Sequence, residues 1–178
     1  MDIQHFRVKV FATPDSHPRL GNAIPVFHRW IQDKRLPEMM IDVSDYEHVP
    51  SGPGVILVCH EAIYGLDEGK GRLGMLYNRR TALNGSVEER LRQAIAAAES
   101  AAGMLEQEPE FAGKLRFNRK AWEVAVNDRA LAPNNEDTWE ALEPVIRKVF
   151  DDKLGAGQYQ LQNHAADARE LFRVTVEP

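Results

Sequence analysis

The chain has 178 residues, 43% of them hydrophobic and 28% charged, a balance that excludes a disordered or fibrous protein and is long enough for one core without staples. A formal net charge of −5 supplies no long-range field for phosphate backbones, so nucleic acid is not an expected partner. The lone cysteine, Cys59, excludes an intrachain disulfide framework, and its place in an apolar run marks a small buried hydrophobe rather than a nucleophile.

The opening residues carry no basic n-region and no continuous apolar run, and no stretch is long enough to cross a bilayer. The expectation is a cytoplasmic protein with no membrane partner. Residues 3–12 alternate, with Ile3, Phe6, Val8 and Val10 set against Gln4, Arg7 and Lys9, which predicts a half-buried strand. A turn cluster from Pro14 to Pro18 follows. Leu20, Ile24, Phe27, Trp30 and Ile31 then fall at helical spacing, with Pro25 either at the first helical position or at a kink.

Glu38 to Tyr46 alternates again and predicts a second strand, closed by the turn residues from Val49 to Gly54. Val55 to Cys59 is apolar on both alternating faces, as expected for a strand near the middle of its sheet. Asp67 to Gly71 is a turn and Leu73 to Tyr77 leads into Asn78, Arg79 and Arg80, so the simplest arrangement is an antiparallel hairpin of 55–59 with 73–77. A reversal near Gly69 and Lys70 sets His60 and Glu61 opposite Arg79 and Arg80, because paired positions in a hairpin keep a constant index sum.

Ser86 with Glu89 forms a capping-box pattern ahead of a helical stripe at Val87, Leu91, Ala94, Ile95, Ala98, Ala102 and Leu105. The alanines predict a face packed close against the sheet or a second subunit. Residues 114–126 read as a long strand, 127–135 as a turn-rich loop. Asp137 with Glu140 repeats the capping pattern before the stripe Trp139, Leu142, Val145, Ile146, Val149 and Phe150. Tyr159 to Gln162 and Leu171 to Val176 complete the strands.

Pro25 to Lys34 aligns without gaps on Pro144 to Lys153, with identity at the Pro, Val, Asp and Lys positions. Each segment follows an alternating strand and precedes two more, which describes a βαββ unit occurring twice. The expected architecture is therefore one α+β domain over 1–178, largely antiparallel, with three helices. Its pseudo-twofold halves, about 1–60 and 114–178, are joined by the hairpin strand and helix in 71–110.

Several constellations bear on chemistry. His60 and Glu61 are the candidate catalytic pair, since an imidazole beside a carboxylate can move protons, and Arg79 and Arg80 can hold an anion bidentately. Tyr64, Asn78, Asn127 and Arg129 join the candidate ligand-binding set, the last two from a strand-to-helix loop of the kind that meets ligands. Ordinary cross-strand ion pairs and Asx turns account for the same residues without a ligand.

Gly69 to Gly74 matches G-x-G-x-x-G, but a strand follows instead of a helix and no kinase motif accompanies it, so a hairpin turn is the reading. Asp42, Asp45 and His48 lack metal-ligand spacing, and no metal is expected; no motif indicates a cofactor. Lys114, Arg116, Arg119 and Lys120 interleave with Phe117 and Trp122, a pattern read as a solvated strand face. The leading functional expectation is a non-catalytic protein that binds a partner subunit, including a second copy of itself, or a small anionic ligand. The alternative is a hydrolase or transferase using His60 or Glu61 with the arginines.

Overall fold

A computed structural model describes residues 1–165 and 167–178. Among them are eight strands, β1 (Phe6–Ala12), β2 (Met40–Tyr46), β3 (Gly54–Cys59), β4 (Ala62–Asp67), β5 (Gly74–Arg79), β6 (Phe117–Val126), β7 (Gln160–Asn163) and β8 (Arg173–Glu177). Three α-helices, α1 (Ala23–Gln32), α2 (Val87–Gln107) and α3 (Glu136–Leu154), complete the fold. The strands form one antiparallel sheet in the order β2-β3-β4-β5-β1-β6-β8-β7, so the fold is α+β. No described helix is long and apolar enough to cross a membrane.

Strand alternation and helix amphipathicity meet on one face. Phe6, Val8 and Val10 of β1 pair across to Val126, Val124 and Trp122 of β6, and all six are buried in the core. The same core takes Ala23, Val26, Phe27 and Trp30 from α1, and Leu142, Ile146, Val149 and Phe150 from α3. From α2 it takes Leu91, Ala94, Ile95, Ala98, Ala101, Ala102 and Leu105; this alanine-rich face meets β1 and β5, where small side chains permit close approach.

The caps follow local chemistry. Ser86 and Glu89 form a reciprocal capping box at the start of α2. At α3 the cap is Asn135, whose side-chain oxygen accepts the Thr138 N–H at 3.0 Å, rather than Asp137, which lies within the first turn. Pro25 is the third residue of α1, where its missing N–H costs no intrahelical bond.

Two strand expectations are corrected. The partner of β3 is not β5 but β4, a strand hidden within the glycine-rich stretch; β3, β4 and β5 form a meander. The reversal at His60 and Glu61 lacks Gly, Pro or Asn, which conceals it in the sequence, and Gly65 interrupts the apolar run of β4. A Cβ at Gly65 would stand 3.1 Å from Ile56 Cγ2, a close contact that a larger residue could make only if Ile56 shifted. Nor is β3 central: it lies second from the sheet edge. Its Ile56 and Val58 are apolar without lying under a helix, because they belong to the opposite face of the sheet.

Near the middle of the sheet, β1 and β6, which precede α1 and α3, lie side by side. Each is flanked outwardly by the second strand of a hairpin, β5 of β4–β5 and β8 of β7–β8. The β2–β3 hairpin of the first half lies farther out, separated from β1 by β4 and β5.

Candidate ligand cleft on the helix-free face

The residues of opposite parity point to the face that carries no helix. Across the middle strands they form rows in register. Asn78, Arg7, Ala125 and Arg173 make one row over β5, β1, β6 and β8, and Leu76, Lys9, Glu123 and Thr175 make the next. Instead of a helix, two loops fold onto this face. The β4–β5 turn is tied to the β7–β8 connection by an ion pair between Lys70 and Glu170, and to the edge of β8 by Arg72 with Glu177. The Arg72 guanidinium also stacks 3.5 Å from the centre of the Phe11 ring.

Beneath the turn lies an ion pair between Lys9 and Asp67, with Nζ to Oδ2 at 2.5 Å and the side chains only 2% and 1% exposed. Lys9 also donates to the Gly69 carbonyl at 3.0 Å, which fixes the turn to the sheet. Burial pulls the Lys9 pKa below its ordinary value, against the opposing pull of Asp67. Both charges are consumed by each other, so Asp67 is not available as a base.

Beside this pair opens a cleft of about 700 Å³. Ile56, Ile63 and Leu76 give it an apolar floor, Tyr46 and Ser51 to Pro53 one wall, and Arg7, Asn78, Asn127 and Lys70 the polar side. Arg7 stands out. Its Nε is buried without a hydrogen-bond partner, and it enters no ion pair among the described residues. A buried unpaired polar group on a cation carries a desolvation cost that a bound anion removes.

The sequence-predicted residues divide. Asn78 and Asn127 line the cleft, where Asn127 Nδ2 donates to Asn78 Oδ1 at 3.4 Å. His60 and Glu61 form the β3–β4 turn, and the β4–β5 register, with Ala62 opposite Arg79, brings the Arg80 N–H to the Glu61 carbonyl at 2.9 Å. Their side chains do not converge, however. The Glu61 carboxylate accepts the Met39 N–H at 2.9 Å, a bond that holds its pKa below the usual carboxylate range. Arg79 donates to the Thr81 carbonyl at 3.0 Å and Arg80 to that of Cys59 at 3.1 Å, while His60 is exposed.

Tyr64 lies under the helices and donates to Glu38 at 2.9 Å; burial, reinforced by the Glu38 charge, pushes its pKa up. Arg129 donates to the Arg169 carbonyl at 2.7 Å. The Cys59 thiol is fully buried, and burial, with the charges of Glu38 and Glu61 adding, pushes its pKa up to about 12.

Sequence reasoning missed Arg7, Ile56, Ile63 and Leu76 as cleft residues. The only signal was the apolar character of β3 on both parities, which sequence logic assigns to a second layer of helices. Among the described residues no three His, Cys, Asp or Glu side chains group as metal ligands. Comparisons of the chain with protein families, with curated proteins and with solved structures find no match.

Proposed function

We propose that the protein is a non-catalytic binder of a small amphipathic anion, taken up in the cleft on the helix-free face. The observation that carries this reading is Arg7: a guanidinium with a buried, unpartnered Nε at the polar side of a cavity whose floor is Ile56, Ile63 and Leu76. An apolar body on that floor and a charged head at Arg7 match the usual composition of ligand sites, mostly apolar with a few placed polar groups. Asn78 and Asn127 supply amide groups to orient the head.

Catalysis is the weaker reading because no histidine and no free carboxylate lines the cleft to activate the hydroxyls of Tyr46 and Ser51. Its carboxylate, Asp67, is bound to Lys9, and the cysteine lies on the other face of the sheet. A hydrolase or transferase at the β3–β4 turn draws support from the adjacency of Glu61 and Arg80, yet Glu61 and both arginines already bond to backbone groups.

Isothermal titration of the full chain with hexanoate and hexanol tests the proposal. Hexanoate should bind about tenfold more tightly than hexanol, the worth of a charge-assisted hydrogen bond, and Arg7→Gln should remove that preference. Leu76→Trp should fill the floor and weaken both. Unaltered hexanoate affinity in Arg7→Gln would sink the reading.

A further inference from the structure

We propose that the head group selected by the cleft is a doubly charged phosphomonoester, seated in a recess between Arg7 and Arg173 above Ala125. The inference rests on the amphipathic-anion reading and deepens it by naming the ligand class.

The register makes the recess. Arg7 of β1 pairs with Ala125 of β6, and Ala125 pairs in turn with Arg173 of β8, so the two arginines share one row and one face. Two inter-strand spacings separate their backbones by roughly 10 Å. The residue between them is the small Ala125, whose methyl group leaves a hollow that any longer side chain would fill. The hollow measures about 280 Å³ and shares Arg7 and Lys70 with the larger cleft, so one ligand can occupy both.

Charge and hydrogen-bonding capacity point to a dianion. Four cations, Arg7, Lys70, Arg169 and Arg173, line the recess against two carboxylates, Glu123 and Glu170, a local positive surplus on a chain whose net charge is −5. Glu170 is paired with Lys70, and Glu123 accepts from Arg173 Nη1 at 3.2 Å. Arg169 is paired with Asp167. After these pairings Arg7 makes no side-chain hydrogen bond among the described residues, Arg173 bonds only through Nη1, and the Nε of each is buried without a partner.

A carboxylate carries one charge and two coplanar oxygens, which one guanidinium satisfies, leaving the other Nε orphaned. A phosphomonoester presents three terminal oxygens in three directions and up to two charges near neutral pH, so it can accept from arginines on opposite sides at once. Its ester oxygen then leads the carbon body out over Leu76, Ile63 and Ile56.

Isothermal titration of the full chain with hexyl phosphate, hexanoate and inorganic phosphate tests the assignment. Hexyl phosphate should bind at least about tenfold more tightly than hexanoate, the gain expected from one further charge-assisted bond, and more tightly than inorganic phosphate, which lacks the body. Arg173→Lys keeps a cation for Glu123 but loses the guanidinium fork, and should bring the hexyl phosphate to hexanoate ratio close to one. Ala125→Leu should do the same by filling the hollow; if it fails to fold, Arg173→Lys carries the test. Hexanoate binding with no preference for the phosphate, or a preference that survives Arg173→Lys, overturns the head-group assignment alone. Absence of binding by either ligand overturns the cleft reading and this inference with it.

Discussion

The two faces of the sheet solve different problems with the same strands. On the helix-covered face every position of β1 and β6 in the central register is apolar and buried, and the three helices close over it. On the opposite face β1 and β6 carry Arg7, Lys9 and Glu123, β8 adds Arg173, and two loops held by ion pairs take the place of helices. The first face maximises burial of apolar area, the dominant favourable term in folding. The second keeps polar groups with unspent bonding capacity beside apolar ones, an arrangement that costs stability and suits recognition. The contrast separates the face that holds the molecule together from the face on which the proposed ligand would sit.

Five substitutions, at Trp122, Lys9, Asp67, Cys59 and Arg7, break or sharpen that contrast. The largest effect belongs to the helix-covered face. Trp122→Ala removes a fully buried ring that packs 6.2 Å from Phe150, and should cost about 3–5 kcal/mol in urea unfolding. Lys9→Met tests whether the other face has a truly buried element. With Asp67 only 1% exposed, loss of its partner should cost about 3 kcal/mol or more, against about 1 kcal/mol or less for an exposed pair. The double variant Lys9→Met with Asp67→Leu should recover most of that loss, and a double variant no better than the single would remove the argument.

Cys59 gives a smaller, pH-dependent effect on the covered side. Its folded pKa of about 12 lies above the ordinary 9.0, so the fold favours the protonated thiol. That contribution is fully present below pH 9 and is lost as pH rises from 9 toward 12. Native protein at pH 8 should therefore resist Ellman's reagent, and Cys59→Ala should show a shallower fall in stability between pH 9 and 12 than the unaltered chain. Rapid labelling of the folded protein would contradict the burial. The smallest effect on stability is expected at Arg7. Because its Nε has no partner to lose, Arg7→Gln should shift unfolding by no more than about 0.5 kcal/mol while reducing anion binding. A large destabilisation would show that Arg7 serves the fold rather than a ligand.

The helices and most strands are legible because their signals are local. The Ser86 and Glu89 capping box, the apolar stripe of α2 and the alternation in β1 depend on neighbours a few residues away. The strand that escaped, β4, begins at a turn without turn residues and contains a glycine, Gly65, set opposite Ile56 of a different strand. Glu61 comes beside Arg80 all the same, because β4 and β5 share the hairpin marked by Gly69 and Gly71, with Ala62 opposite Arg79 rather than the register centred at Gly69 and Lys70. Adjacency of backbone did not bring the side chains together. Each arginine turned to a carbonyl at a strand end, a choice that sequence spacing does not encode.

By itself, then, the sequence determined the types of every element but β4, the α+β class and the identity of the apolar stripes, since periodicity and capping are properties of short segments. The tertiary structure decided the strand order, and with it everything about the cleft. Arg7, Ala125 and Arg173 are far apart in the chain and become one row only when β1, β6 and β8 are paired in register. The polar parity of those strands looks in sequence like a solvated surface. Folding two loops across it makes a recess instead, because ion pairs and a stacked arginine hold those loops over the sheet face that lacks helices.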